Sequence, residues 1–98
     1  MARIELAPEL QEDFDRIFDH LLEFAVDDPP GRIREIIQAI DVLQSNPLIG
    51  RAVSADTREL VIGRSARGYV ALYRYIELVD TVFVLAIRSQ REAGYERT

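Results

Sequence analysis

Ninety-eight residues, 48% of them hydrophobic and 30% charged, suffice for one domain, taken as residues 1–98, with a modest core and a well-solvated surface. The lack of cysteine excludes disulfides and thiolate metal sites and fits a bacterial cytoplasm. No apolar run nears the roughly 18 residues that span a bilayer, and residues 1–10 show no signal-peptide core. A net charge of −5 argues against general nucleic-acid binding, but the charge is uneven: residues 1–50 carry −7 and residues 51–98 carry +2, with arginine as the sole basic residue type.

Arg3–Ala7 alternates and reads as a first strand. Pro8 and the acidic Glu9, Glu12 and Asp13 suit a helix start, and Leu10, Phe14, Ile17, Phe18, Leu21, Leu22 and Ala25 recur at spacings of three and four. Asp27-Asp28-Pro29-Pro30-Gly31 reads as the break that ends this helix. A second amphipathic helix carries Ile33, Ile36, Ile37, Ile40 and Leu43 and stops at Asn46-Pro47. The two helices should form an antiparallel hairpin lying on a sheet.

Glu59–Gly63, Tyr69–Glu77 and Thr81–Ile87 are rich in β-branched and aromatic residues and predict a three-strand meander with turns at Arg64–Gly68 and Leu78–Asp80. On the middle strand Tyr69, Ala71, Tyr73 and Tyr75 face one way, and Val70, Leu72, Arg74 and Ile76 face the other. Both faces are largely apolar, yet one helical hairpin covers only one of them. The apolar face left uncovered predicts a partner site.

Catalytic signals are sparse. Gly63 and Gly68 do not open a helix, so there is no nucleotide-binding fingerprint. His20, beside Asp13 and Arg16 on the polar side of the first helix, reads as a solvated residue. Ser54, Ser65 and Ser89 lack an evident base. No metal or cofactor is expected. The acidic residues of the first helix (Glu9, Glu12, Asp13, Asp15, Asp19 and Glu23) read as a solubilising face, with a docking surface for a basic partner as the alternative. Arg58, Arg64, Arg67, Arg88 and Arg91, with Tyr69, Tyr73 and Tyr95, are expected to gather at one edge of the sheet, either as a contact surface or as ordinary bridges to Glu59, Glu77 and Glu92.

Three motifs in order carry a family resemblance. Asn46-Pro47-Leu48-Ile49-Gly50-Arg51 resembles the NPxxGR connector of ParE toxins. Arg58–Gly63 followed by Gly68–Tyr73 resembles their R-x-L and GYxxxY hairpin. Ile87–Tyr95 resembles their closing IRHxREAGY segment, and the layout agrees from Arg3 to Tyr95.

The resemblance implies an α+β fold: a twisted antiparallel sheet packed by an N-terminal helical hairpin, in the order β-α-α-β-β-β. It implies the toxin half of a type II toxin–antitoxin pair, of the kind that includes plasmid stabilisation proteins. Such a toxin inhibits DNA gyrase without catalysing a reaction, and a ParD-like antitoxin, commonly a ribbon-helix-helix dimer, neutralises it. DNA would be met only through that antitoxin, and no membrane is involved. Target-contact candidates are Arg58, Arg64, Arg67, Tyr69, Tyr73, Arg88, Ser89, Arg91 and Tyr95; antitoxin-contact candidates are Leu72, Arg74 and Ile76. The runner-up is an mRNA endonuclease like the related RelE toxins, and the third reading is a non-toxic binding and autoregulation module. Two departures bear on these alternatives. RelE enzymes place an arginine after the hairpin Gly-Tyr and use lysines nearby, where this chain has Val70 and no lysine, leaving Arg91 as the one match. Many ParE sequences have histidine where this chain has Ser89.

Overall fold

Spacings of three and four put Leu10, Ile17 and Leu21 on the buried side of α1 (Leu10–Glu23), with Phe14 partly buried beside them. The computed structural model describes residues 1–63 and 68–90. It opens with β1 (Arg3–Leu6), which leads into α1. The helix ends earlier than its apolar pattern. Ala25 adopts a left-handed conformation (φ 50°), the Ala25 N–H donates to the Leu22 carbonyl, and the Val26 N–H donates to the Leu21 carbonyl. These paired bonds cap the last turn in the Schellman manner, and they leave Leu22 exposed.

The residues read as a break are the start of α2 (Pro29–Asp41). Pro29 and Pro30 occupy its first positions, where no N–H is required, and the Asp28 carboxylate accepts from the Gly31 N–H at 3.2 Å. A Cβ at position 31 would collide with that carboxylate, so glycine permits the cap. Ile36 and Ile40 face the core, and a 3₁₀ turn at Val42–Gln44 buries Leu43.

β2 (Arg51–Ala52), β3 (Arg58–Ile62), β4 (Tyr69–Ile76) and β5 (Thr81–Ser89) complete a five-stranded sheet in the order β1-β5-β4-β3-β2. The α+β class and the helical hairpin agree with expectation, but the sheet is mixed: β1 runs parallel to β5, with Arg3 opposite Thr81 and Leu6 opposite Val84. Short connections force β3, β4 and β5 to alternate in direction, whereas β1 is separated from β5 by both helices and has no such constraint. Two-residue β2 lies in the connector, where no strand was expected, and pairs antiparallel with β3.

One face of this sheet meets both helices. Ile62, Tyr69, Ala71, Tyr73, Val82, Val84 and Ile87 share a single core with Leu10, Ile17, Leu21, Ile36, Ile40 and Leu43. A β-bulge sets the faces of β5. Leu72 pairs with Ala86 and Tyr73 with Val84, so Leu85 is an extra residue. Simple alternation from Val82 and Val84 would place Ala86 and Arg88 in the core; the bulge turns Ile87 inward and sends Ala86 and Arg88 to the outer face.

Candidate functional site

The connector between α2 and β3 is tied to the sheet by residues the sequence had marked as surface contacts. Tyr73 is 0% exposed, and its hydroxyl accepts from the Gly50 N–H at 2.8 Å. A side chain at position 50 would meet the Tyr73 ring and hydroxyl at 2.6 Å and the Glu59 carbonyl at 2.8 Å, which explains the glycine. The Arg58 guanidinium donates to the carbonyls of Leu48 at 3.1 Å and Gly50 at 2.8 Å. Arg51 pairs with the nearly buried Glu59 at 2.8 Å. Burial pushes the Tyr73 hydroxyl above its ordinary range, while the Gly50 N–H and the Arg58 charge draw it back. The motif residues Gly50, Arg58 and Tyr73 therefore latch the connector, and Tyr73 has no surface to offer a partner.

The outer face has a different character. Register partners point to the same side of a sheet, so Val61 of β3, Leu72, Arg74 and Ile76 of β4, and Phe83 and Arg88 of β5 share it. Val61 is exposed and Leu72, Ile76 and Phe83 are partly buried, whereas Glu59, Val70 and Ala86 on the same face are buried. The packed helices lie on the opposite side. Cations border the apolar strip: Arg88 at the hairpin end, Arg74 paired with Asp56 at 3.5 Å, and Arg51 on the β2 edge. The surface suits a segment that combines apolar side chains with carboxylates.

The pattern described as the ParE toxin of type II toxin–antitoxin systems, parDE, matches residues 4–94. The chain belongs to the ParE toxin family. Among solved structures, the chromosomal ParDE toxin–antitoxin system of P. aeruginosa is similar at 21% identity, over 91% of this chain and 96% of that one, with a TM-score of 0.71. The intact E. coli RelBE toxin–antitoxin complex is similar at 13% identity, over 94% and 100% of the two chains, with a TM-score of 0.63. An E. coli RelE mutant in complex with a RelB antitoxin peptide matches at 14% identity, over 94% and 85%, with a TM-score of 0.61. At these identities the likeness is one of fold. A comparison with curated proteins gave no match.

Of the arginines expected at one edge of the sheet, the two among the described residues of this ParE toxin, Arg58 and Arg88, lie on opposite faces. Arg58 starts β3, at the opposite end from the β3–β4 hairpin, and shares the face of its register partner Tyr73; Arg88 lies beside Val70 near the hairpin on the outer face. Tyr69, 9% exposed, pairs with Ser89 on the helix-covered side. Burial raises the pKa of the Tyr69 hydroxyl, which the Arg32 charge lowers and the Glu35 charge raises. Arg64, Arg67, Arg91 and Tyr95 lie outside the described residues.

The structure also brings forward residues read as plain surface. Asp13 is 1% exposed and accepts from Arg16 and from the Ile87 N–H. Its signal was present in the sequence: position 13 falls between Leu10 and Ile17 on the apolar stripe itself, where a carboxylate needs a partner. No group of three histidine, cysteine, aspartate or glutamate residues suited to a metal occurs among the described residues. Nor is any described helix long and apolar enough to cross a membrane.

Proposed function

We propose that this ParE toxin inhibits DNA gyrase by binding it, without catalysing a reaction, in the bacterial cytoplasm. A cognate ParD-like antitoxin, a ribbon-helix-helix dimer, neutralises it by laying an apolar and acidic tail on the outer sheet face at Leu72, Arg74 and Ile76. DNA is met only through that antitoxin. The observation that carries the reading is the uncovered strip of Val61, Leu72, Ile76 and Phe83 between arginines. Such a strip favours occupation by a partner of complementary character. Val70 supports the non-catalytic part: it is 4% exposed and has no group to stabilise phosphate charge where the RelE ribonucleases have arginine.

The test is to express the toxin alone and with the product of the adjacent gene, scoring growth and the DNA-damage response, then to assay purified toxin on gyrase supercoiling and on translating ribosomes. Growth arrest with DNA damage, relieved by the neighbour and restored by Leu72→Asp, is the expected result. Ribosome-dependent RNA cleavage abolished by Arg91→Ala would overturn it in favour of the RelE-like reading. A harmless parent whose Ser89→His variant is also harmless would leave the non-toxic binding module.

A further inference from the structure

β5 outlasts its parallel neighbour. The last β1 register pair is Leu6 with Val84, and the Ala7 N–H donates to the Val84 carbonyl at 2.9 Å. Beyond that point β5 continues to Ser89, past the end of its pairing with β1. Ile87 turns both its groups to that side, and both are met by side chains of α1. Its N–H donates to Asp13 Oδ2 at 2.9 Å, and its carbonyl accepts from Arg16 Nη2 at 3.0 Å. Asp13 Oδ1 and Arg16 Nη1 are joined to each other at 3.1 Å. Two side chains three residues apart on a helix thus reproduce the donor and acceptor of a missing strand residue.

We infer that Asp13 and Arg16 are positioning residues: they serve as a surrogate edge for β5 and fix the register in which its end presents Arg88 outward and Ser89 inward. A bulge next to an open edge is a place where a strand can slip, and a slip of one residue exchanges the faces of every side chain after it. The bulge at Leu85 lies between the last β1 bond and Ile87. The clamp is therefore set immediately beyond the point where slippage would begin. Its charge-assisted bonds are shielded, because Asp13 is 1% exposed and the Arg16 side chain 27%. The functional consequence rests on the reading that Arg88 and Ser89 meet a partner or target; the positioning itself does not.

The experiment is residue-resolved amide exchange on the full chain, comparing the parent with Asp13→Ala, Arg16→Ala, Asp13→Asn and, as a control inside α1, Ile17→Val. Loss of one charge-assisted hydrogen bond should speed exchange at Ile87 about ten- to hundredfold in Asp13→Ala, with a smaller rise at Gln90. Val82 and Val84, held by β1 and β4, should stay as protected as in the parent. Asp13→Asn, which retains an acceptor for the Ile87 N–H, should recover most of the protection. Ile17→Val should accelerate all core amides together. Should Asp13→Ala fail to fold, Arg16→Ala removes the carbonyl half together with the ion pair to Asp13, and its expected signature is faster exchange and altered resonances at Ile87, Arg88 and Ser89 beyond any uniform change shared by Val82 and Val84. Parent-like exchange at Ile87, or equal acceleration at Val82, Val84 and Ile87, would overturn the inference. Growth inhibition by the same variants reads the functional clause separately: a harmless parent defeats the gyrase proposal, while the exchange pattern still decides the clamp.

Discussion

Replacing Tyr73 by phenylalanine removes one oxygen from the most enclosed polar contact of the connector. Phenylalanine keeps the ring among Ala71, Val84 and the rest of the core, so no large cavity forms. The Gly50 N–H, buried and 2.8 Å from the hydroxyl, loses its acceptor. Leaving a buried donor unmet costs about 1–3 kcal/mol, which for a domain of this size lowers Tm by roughly 4–8 °C for each kcal/mol. A pH signature separates this cause from loose packing. Burial holds the Tyr73 pKa in the folded protein above its ordinary value of 10.0. The unfolded chain therefore releases the phenolic proton first, and the stability due to the neutral hydroxyl is complete below pH ~10 and is lost as pH rises through the folded value. The parent should lose stability on the alkaline side with a slope of up to about 1.4 kcal/mol per pH unit from this group. Tyr69, raised for the same reason of burial, adds its own share, which the variant retains. Urea unfolding at pH 7 and at several values between 9 and 11 checks both parts. A variant within about 0.5 kcal/mol of the parent at pH 7, with an unchanged alkaline slope, would refute the latch.

Ala25→Gly should stabilise the domain by about 0.5–1 kcal/mol in thermal unfolding, since the left-handed backbone at φ 50° penalises a Cβ and glycine carries none. Ile36→Ala, at a position 1% exposed, should cost about 2–5 kcal/mol, whereas Ile37→Ala, 42% exposed on the adjacent flank of α2, should stay near 0.5 kcal/mol in chemical denaturation.

The parts of the fold readable from sequence are those written in periodicity. Leu10, Ile17 and Leu21 on α1, Ile36 and Ile40 on α2, and the alternating β4 residues each announce the face they bury. Strand direction is not written there, because alternation is the same for parallel and antiparallel neighbours; the position of β1 beside β5 is decided by the path of both helices. The proline pair misled for a related reason: proline stops a helix from within yet starts one at its first turn, and only the capping bond from Gly31 to Asp28 distinguishes the two.

The candidate site was less legible because its residue types serve both contact and architecture. An arginine and a tyrosine in a hairpin motif suggest a surface that grips a partner, yet Arg58 and Tyr73 spend their polar atoms on the Leu48 and Gly50 main chain. Leu72, Arg74 and Ile76 share one face of β4, opposite Tyr69, Ala71 and Tyr73, because the strand keeps a two-residue period from Tyr69 to Ile76. Arg88 could not be placed by the same rule, since one extra residue at Leu85 reverses the count. The outward Arg88 depends on that bulge, and the bulge lies next to the stretch of β5 that Asp13 and Arg16 hold. A carboxylate on the apolar stripe of the first helix thereby bears on which face an arginine more than seventy residues later presents to a partner.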